Sequence, residues 1–247
     1  MPHNHHDIIL CPGQGAQYVG MGKAWADRHA VAARTFQEAN DVLGIDLRTV
    51  CFEGPEDELN RTDVAQAAIY TTSVACFRVL QYTDGVQQLG ETAGLSLGEF
   101  TALHLAGAFD FDDGLRLVRL RGQAMQDAAE AASGSGMVAV MGADEAQAND
   151  LCSKTLDEVG GGEVMVPANF NCPGQVVVSG SRKACEKAVE VAGQIGLKAV
   201  PLTVSGAFHS PLMQPAADRL SAQLDDVQWQ APPIKVTSND HERHHHR

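Results

Sequence analysis

The first half of the chain alternates short apolar runs with longer stretches of helical periodicity. Residues Asp7–Cys11 form an apolar run that stops at a Pro-Gly pair, the pattern of a buried strand that opens into a loop. Helical patterns follow at residues 21–40 and 62–81, and Thr62 is placed to cap the second helix. Because strands alternate with helices, the pattern predicts an α/β fold whose first strand lies in a parallel sheet.

The order of elements changes at the Ser-Gly-Ser-Gly segment 133–136. Before it, helical patterns occupy residues 97–105 and 112–132, and the polar segment 88–92 predicts a very short strand. After it, the sequence predicts strand 137–141, a helix, strands 163–170 and 175–179, a helix from residue 181 and strand 199–204. This β-α-β-β-α-β order is typical of a ferredoxin-like unit. We therefore predict a small subdomain, 134–204, inserted into a larger α/β subdomain made of residues 1–133 and 205–247.

Charge and composition exclude several classes of protein. The formal net charge is −13, which disfavours nucleic acid as a partner because a polyphosphate needs a basic surface. Apolar stretches are far shorter than the roughly 20 residues that cross a bilayer, and the N-terminus carries no apolar signal segment. The six cysteines contain no CxxC pair, which favours reduced thiols. We expect a monomeric cytoplasmic protein that binds neither nucleic acid nor membrane.

A G-x-S-x-G motif at residues 94–98 is the first candidate for chemistry. Its glycines allow a sharp turn from strand to helix, which lifts the Ser96 hydroxyl into a cleft. The dipole of the following helix and the backbone N–H of Leu97 favour a developing oxyanion there. The alternative is a glycine-flanked helix cap without catalytic use.

His209 lies in the segment 205–213, directly before a predicted helix start at Ser210 and Pro211. A cation is disfavoured at the positive end of a helix, so the imidazole tends to be neutral, as a general base for Ser96 requires. The alternative is a structural histidine. Because no acidic residue between Ser96 and His209 stands out as a third member, a plain hydrolase triad is not supported.

Arg121 is set apart from its neighbours by helical geometry. At about 100° per residue, the apolar side chains of segment 115–125 form a broad arc with Arg121 near its centre, whereas Arg116 and Arg119 fall outside it. A buried guanidinium needs an anion, and its fork matches a carboxylate with two hydrogen bonds. That carboxylate could come from a substrate or from an internal Asp or Glu, and the sequence leaves both open.

The Gly-rich loop 13–17 follows the first strand. It lacks the spacing of a dinucleotide fingerprint or a phosphate loop, so nucleotide phosphate binding is poorly supported. Such a loop can instead offer a backbone N–H to an oxyanion, or it can be a simple turn.

Taken together, five segments resemble the malonyl-CoA:acyl carrier protein transacylases across nearly the whole chain. They are Pro-Gly-Gln-Gly-Ala-Gln at 12–17, Gly-Leu-Ser-Leu-Gly-Glu at 94–99, Arg-Gly-Gln-Ala-Met-Gln at 121–126, Asn-Cys-Pro-Gly-Gln-Val-Val-Val-Ser-Gly at 171–180 and Gly-Ala-Phe-His-Ser at 206–210. The resemblance implies an α/β-hydrolase-like large subdomain with an inserted ferredoxin-like small subdomain. It also implies transfer of malonyl from malonyl-CoA to an acyl carrier protein through a malonyl-serine, in fatty-acid or polyketide synthesis.

The resemblance further implies a role for each site residue. Ser96 would be the nucleophile, His209 the base and acid, and Arg121 the clamp on the malonyl carboxylate. The backbone N–H groups of Gln14 and Leu97 would form the oxyanion hole. The substrate would also meet Phe208, which marks the malonyl-selecting form of the family, together with Gln66 and Asn171. Neither a metal nor another cofactor is expected.

Three departures from the family pattern carry expectations of their own. Leu95 stands where the family often has histidine, and Ala67 stands where many relatives have proline. The family continues past the strand at 234–238 with further helices and a strand, so a C-terminally short chain is expected to expose apolar surface and to orient His209 poorly. The alternatives to malonyl transfer are therefore an inactive truncated remnant and a serine esterase or thioesterase.

Overall fold

The computed structural model describes residues 7–83, 85–86 and 89–239 and the backbone of 244–245. It is a mixed α/β protein with one largely parallel and one antiparallel sheet. The strands are β1 Asp7–Cys11, β2 Leu89–Gly94, β3 Gly136–Met141, β4 Met165–Cys172, β5 Gln175–Gly180, β6 Lys198–Pro201, β7 Lys235–Thr237 and β8 His244–His245. The helices are α1 Lys23–Arg28, α2 Ala30–Leu43, α3 Leu47–Glu53, α4 Glu56–Leu59, α5 Thr62–Tyr82, α6 Leu97–Leu105, α7 Phe111–Ala131, α8 Glu145–Val159, α9 Arg182–Gln194 and α10 Gln214–Leu224, with a 3₁₀ turn at Pro211–Met213.

The chain packs into two compact units. One comprises the described residues up to Gln123 and those from Ala222 onward, and the other spans Ala124–Ser221. The predicted subdomains, 1–133 with 205–247 and 134–204, have different limits from these packed units. The prediction describes which residues fold as a unit, and packing alone does not test that. It therefore stays a prediction.

The first unit holds a four-stranded sheet in the order β1-β2-β7-β8. Strands β1, β2 and β7 are parallel, as the alternation of strands and helices predicted, and β8 pairs antiparallel with β7. Helix α5 is buried on most of its surface, as expected for a helix with apolar residues around its whole circumference. Its side chains Ile69, Tyr70 and Val74 pack with Phe36 and Leu115 in the main core.

Apolar surface is exposed on this unit beside strand β1. Ile8 is 61% exposed and Leu10 is 77% exposed. They line a groove of about 400 Å³ together with Tyr18, Trp25 and Phe77.

The second unit holds a four-stranded antiparallel sheet in the order β4-β5-β3-β6. Helices α8 and α9 cover it, and a core that includes Val138, Val178, Leu151 and Val191 lies between sheet and helices. Helix α8 begins with a capping box in which the Asp144 side chain accepts from the Gln147 N–H at 2.8 Å. Along the chain the elements follow the predicted β-α-β-β-α-β order.

Some predictions of local structure were wrong. The helical pattern 21–40 is two helices, because His29 adopts an extended conformation (φ −129°, ψ 115°) between α1 and α2. Thr62 is the first residue of α5 rather than its cap, a position that Arg61 occupies. Helices α3 and α4 were not predicted, since elements of seven and four residues carry too few apolar repeats to show a helical period.

None of the described helices is both long and apolar enough to span a bilayer.

Candidate functional site

Ser96 lies in a strained turn between β2 and α6, in the first unit. Its backbone has φ 54° and ψ −103°, a conformation that side-chain-bearing residues rarely adopt. A Cβ atom on Gly94 would lie 2.0 Å from the carbonyl carbon of Gly98, and one on Gly98 would lie 2.2 Å from the Cys11 oxygen. Only glycine fits at both positions. The strand-turn-helix context that the G-x-S-x-G motif predicts is therefore present.

The guanidinium of Arg121 contacts the Ser96 hydroxyl. Its Nη2 donates to Ser96 Oγ at 2.9 Å, and its Nη1 donates to Gln66 Oε1 at 2.7 Å. Gln66 is fully buried on α5, so the guanidinium is held between a fixed amide and the hydroxyl. In the part of the chain that the structure describes, no carboxylate forms an ion pair with Arg121. An internal Asp or Glu partner, the alternative left open above, is not observed there.

The two other arginines of α7, which fall outside the apolar arc, have carboxylate partners. Arg119 Nη1 lies 3.2 Å from Asp63 Oδ2, and Arg116 Nη2 lies 3.5 Å from Asp112 Oδ2 at the surface. Helical position therefore distinguishes Arg121, which faces the serine, from two arginines that form structural ion pairs.

Burial lowers the pKa of Arg121 to about 10, and the charge of Glu99 opposes this shift. Desolvation penalises the charged form, which is why the pKa of a buried base falls. A pKa near 10 still leaves the guanidinium protonated at neutral pH. It can therefore bind an anion beside Ser96.

Gly122 explains how Arg121 reaches this place. A Cβ atom on Gly122 would lie 2.7 Å from the carbonyl oxygen of Thr62 and 2.9 Å from Cα of Asp63. Helix α7 therefore approaches the start of α5 more closely than any larger residue would permit. This approach brings Arg121 within hydrogen-bonding distance of Gln66.

Two backbone N–H groups near the serine are available to an anion. The amides of Gly98 and Glu99 donate to the carbonyls of Leu95 and Ser96 in the first turn of α6, whereas the N–H of Leu97 has no acceptor among the described residues. The same holds for the N–H of Gln14, within those described residues. The loop that carries Gln14 packs on the turn, since a Cβ atom on Gly13 would lie 2.6 Å from the Leu95 oxygen.

His209, Phe208 and Asn171 belong to the second unit. His209 is exposed and, like Ser96, has a positive φ, here 57°. The predicted cap is confirmed, because the Ser210 Oγ accepts from the Leu212 N–H at 3.2 Å. Phe208 is buried in a cluster with Met137, Val177 and Met213, and Asn171 is exposed near the end of β4. Their predicted roles stay predictions.

The segment after β7 makes one further contact with the turn, which no motif or spacing in the sequence indicates. The Ser96 N–H donates to Asn239 Oδ1 at 2.8 Å, and Asn239 Nδ2 donates to the Gly94 oxygen at 2.5 Å. Glu99 accepts from Ser238 Oγ at 2.9 Å and from the Asn239 N–H at 3.3 Å. The spacing Ser-x-x-Glu at 96–99 is that of a capping box, but here the glutamate contacts the segment after β7.

No group of three or more His, Cys, Asp or Glu side chains within the described ranges could hold a metal ion.

Comparison with known proteins gives close similarity over most of the chain. Residues 8–245 match the family model of the acyl transferase domain. The malonyl CoA-acyl carrier protein transacylase of Escherichia coli strain K12 is 42% identical over 232 residues, which cover 94% of this chain and 73% of the relative. The protein of the same name from Bacillus subtilis is also 42% identical, with 94% of this chain and 71% of the relative covered.

Solved structures are also similar to this chain over most of its length. A malonyl-CoA:acyl carrier protein transacylase from Xanthomonas oryzae pv. oryzae superposes with a TM-score of 0.91 at 39% identity, covering 98% of this chain and 77% of that one. A malonyl-transacylase in complex with its type II PKS acyl-carrier protein superposes with a TM-score of 0.88 at 40% identity, covering 95% of this chain and 74% of that one.

Proposed function

The chain belongs to the malonyl-CoA:acyl carrier protein transacylases of the acyl transferase family, and we propose that it transfers malonyl from malonyl-CoA to an acyl carrier protein. The acceptor is the phosphopantetheine thiol of the carrier, and the acyl group passes through an ester on Ser96. The protein thus acts as an [acyl-carrier-protein] S-malonyltransferase in fatty-acid or polyketide synthesis.

The contact between Arg121 and Ser96 carries this proposal. In malonyl-CoA a single methylene separates the free carboxylate from the thioester carbonyl. A carboxylate held by Arg121 therefore places the carbonyl carbon beside a hydroxyl that lies 2.9 Å from the guanidinium. An acyl group without a carboxylate gains nothing from this cation, so the arrangement favours malonyl over acetyl.

Acylation then follows from the proposed roles. His209 accepts the Ser96 proton while Oγ bonds to the thioester carbonyl carbon, and the N–H groups of Gln14 and Leu97 stabilise the oxyanion. The bond between carbonyl carbon and sulfur breaks, and CoA leaves with the proton from His209. In the second half the carrier thiol gives its proton to His209 and attacks the ester, and the proton returns to Ser96.

The remaining assignments follow the family pattern. Gln66 holds the guanidinium through its 2.7 Å contact with Nη1, which supports a place in the carboxylate site. Phe208 selects malonyl, and Asn171 contacts the substrate. The parallel sheet supports an α/β-hydrolase-like first unit, and the strand order β4-β5-β3-β6 supports a ferredoxin-like second unit. A cytoplasmic monomer stays a prediction.

The alternative functions are not favoured. The relatives from Escherichia coli and Bacillus subtilis are malonyl transacylases rather than esterases or thioesterases. Hydrolysis of a simple acyl ester also does not require a cation beside the nucleophile, as Arg121 is here. These relatives do not support the alternative of an inactive truncated remnant either.

A transfer assay distinguishes the proposed function from hydrolysis. We expect enzyme that has been malonylated with malonyl-CoA to pass the group to a carrier protein bearing phosphopantetheine, and to keep it when the carrier lacks that arm. Mass spectrometry of both proteins measures the transfer. Loss of malonyl to water at the same rate with either carrier would instead identify a thioesterase.

A further inference from the structure

The side chain of Asn239 extends the pairing of two strands into the turn that holds Ser96. Backbone pairing between β2 and β7 ends at the partners Ala93 and Thr237. Two residues later, Asn239 Oδ1 accepts from the Ser96 N–H and Nδ2 donates to the Gly94 carbonyl. An amide offers one acceptor and one donor side by side, as a backbone strand does. The side chain thus replaces the next strand residue.

Those two hydrogen bonds lie in a turn that contains a residue with a strained backbone. Ser96 has a φ of 54°, and residues in such sparsely populated regions cost about 1–3 kcal/mol unless their surroundings hold them. The two bonded groups lie on either side of Leu95, so the amide closes a ring around the turn. Although Asn239 is exposed, both contacts reach backbone groups that fix the direction of Ser96.

Glu99 holds the segment that carries Asn239 in place through two hydrogen bonds. Its two carboxylate oxygens accept from the Ser238 hydroxyl and from the Asn239 N–H. Glu99 stands in the first turn of α6, the helix that begins directly after Ser96. Hydrogen bonds therefore connect the start of α6 and the segment after β7 on both sides of the serine. The Glu99 carboxylate also opposes the lowering of the Arg121 pKa.

From these contacts we infer that Asn239 is a positioning residue for the nucleophile. It holds the backbone at Ser96 so that Oγ stays within reach of Arg121 Nη2, and it acts through that backbone rather than on the substrate. The inference rests on the proposed function, because it assigns a role in the acylation of Ser96.

A single-turnover experiment separates positioning from stability. We expect Asn239→Ala to lower the rate constant for malonylation of Ser96 by about tenfold or more, since small misplacements of a reacting group can cost up to about 100-fold. The concentration of malonyl-CoA giving half the maximal rate should hardly change, because Arg121 and Gln66 remain. Asn239→Asp, which keeps the acceptor for the Ser96 N–H, should recover part of the rate.

The amplitude of the same reaction gives the fraction of protein molecules that can be malonylated, and it therefore reports loss of folded protein separately from the rate constant. The matched control is Asn149→Ala, which removes a surface hydrogen bond to the Glu145 carbonyl on α8 and should leave the rate constant unchanged. An unchanged rate constant in Asn239→Ala would overturn the inference, with or without a lower amplitude. If the unaltered protein itself gains no malonyl group on Ser96, the proposed function fails instead, so the two failures are distinguishable.

Discussion

Replacing Arg121 by alanine should lower the second-order rate constant for malonylation of Ser96 by about 100- to 10000-fold, because two charge-assisted hydrogen bonds to the substrate carboxylate are lost together. One hydrogen bond to a charged group contributes about 1.5–3 kcal/mol. A tenfold change in rate corresponds to about 1.4 kcal/mol. Single-turnover kinetics with malonyl-CoA and acetyl-CoA measure the effect, and the loss for acetyl should stay below about tenfold because acetyl brings no carboxylate.

Two variants control for charge and for folding. Arg121→Lys keeps the positive charge but not the planar fork, so its rate should fall between those of the unaltered protein and Arg121→Ala. Arg116→Ala removes an exposed arginine of the same helix, whose partner is Asp112, and should leave both rates unchanged. Equal losses for malonyl and acetyl in Arg121→Ala would show that the guanidinium does not bind the carboxylate.

Replacing His209 by alanine should slow malonylation of Ser96 by about 100- to 10000-fold, the range that a general base contributes. Without the imidazole the hydroxyl must lose its proton to water, whereas the carboxylate site at Arg121 is unaltered. The fall should therefore appear in the maximal rate rather than in the malonyl-CoA concentration that gives half of it. Rapid quenching followed by mass spectrometry measures both.

The matched control is His29→Ala, which removes a partly exposed histidine at the break between α1 and α2. It should malonylate at the rate of the unaltered protein. If His209→Ala also did so, His209 would not be the general base, and a lowered melting temperature would then identify it as a structural histidine.

Parts of the site could be predicted from sequence because they depend on local patterns. Helical periodicity alone distinguishes Arg121 from Arg116 and Arg119, since the three residues share one helix and differ only in the face they occupy. Gly94 likewise indicates a close backbone approach to Gly98 within five residues, whereas Gly98 approaches the distant backbone of Cys11. Such signals survive in a single sequence because the interacting positions are near neighbours along the chain.

Contacts between distant segments could not be predicted in this way. Asn239 reaches Ser96 across 143 positions, and neither residue type nor spacing marks that pairing. Thr62 shows the same limit, because its place at a helix start suggested a cap, yet its hydroxyl accepts from Gln14 Nε2, 48 residues away, at 3.3 Å. The break between α1 and α2 at His29 could not be predicted, because the apolar pattern continues across it.

The mass of the intact protein after brief mixing with malonyl-CoA tests the central claim most directly. The account predicts a gain of one malonyl group, located by peptide mapping on Ser96 and absent from Ser96→Ala. A protein that gains no malonyl group, or that carries it on another residue while Ser96→Ala is modified equally, would contradict the assignment of Ser96 as the nucleophile.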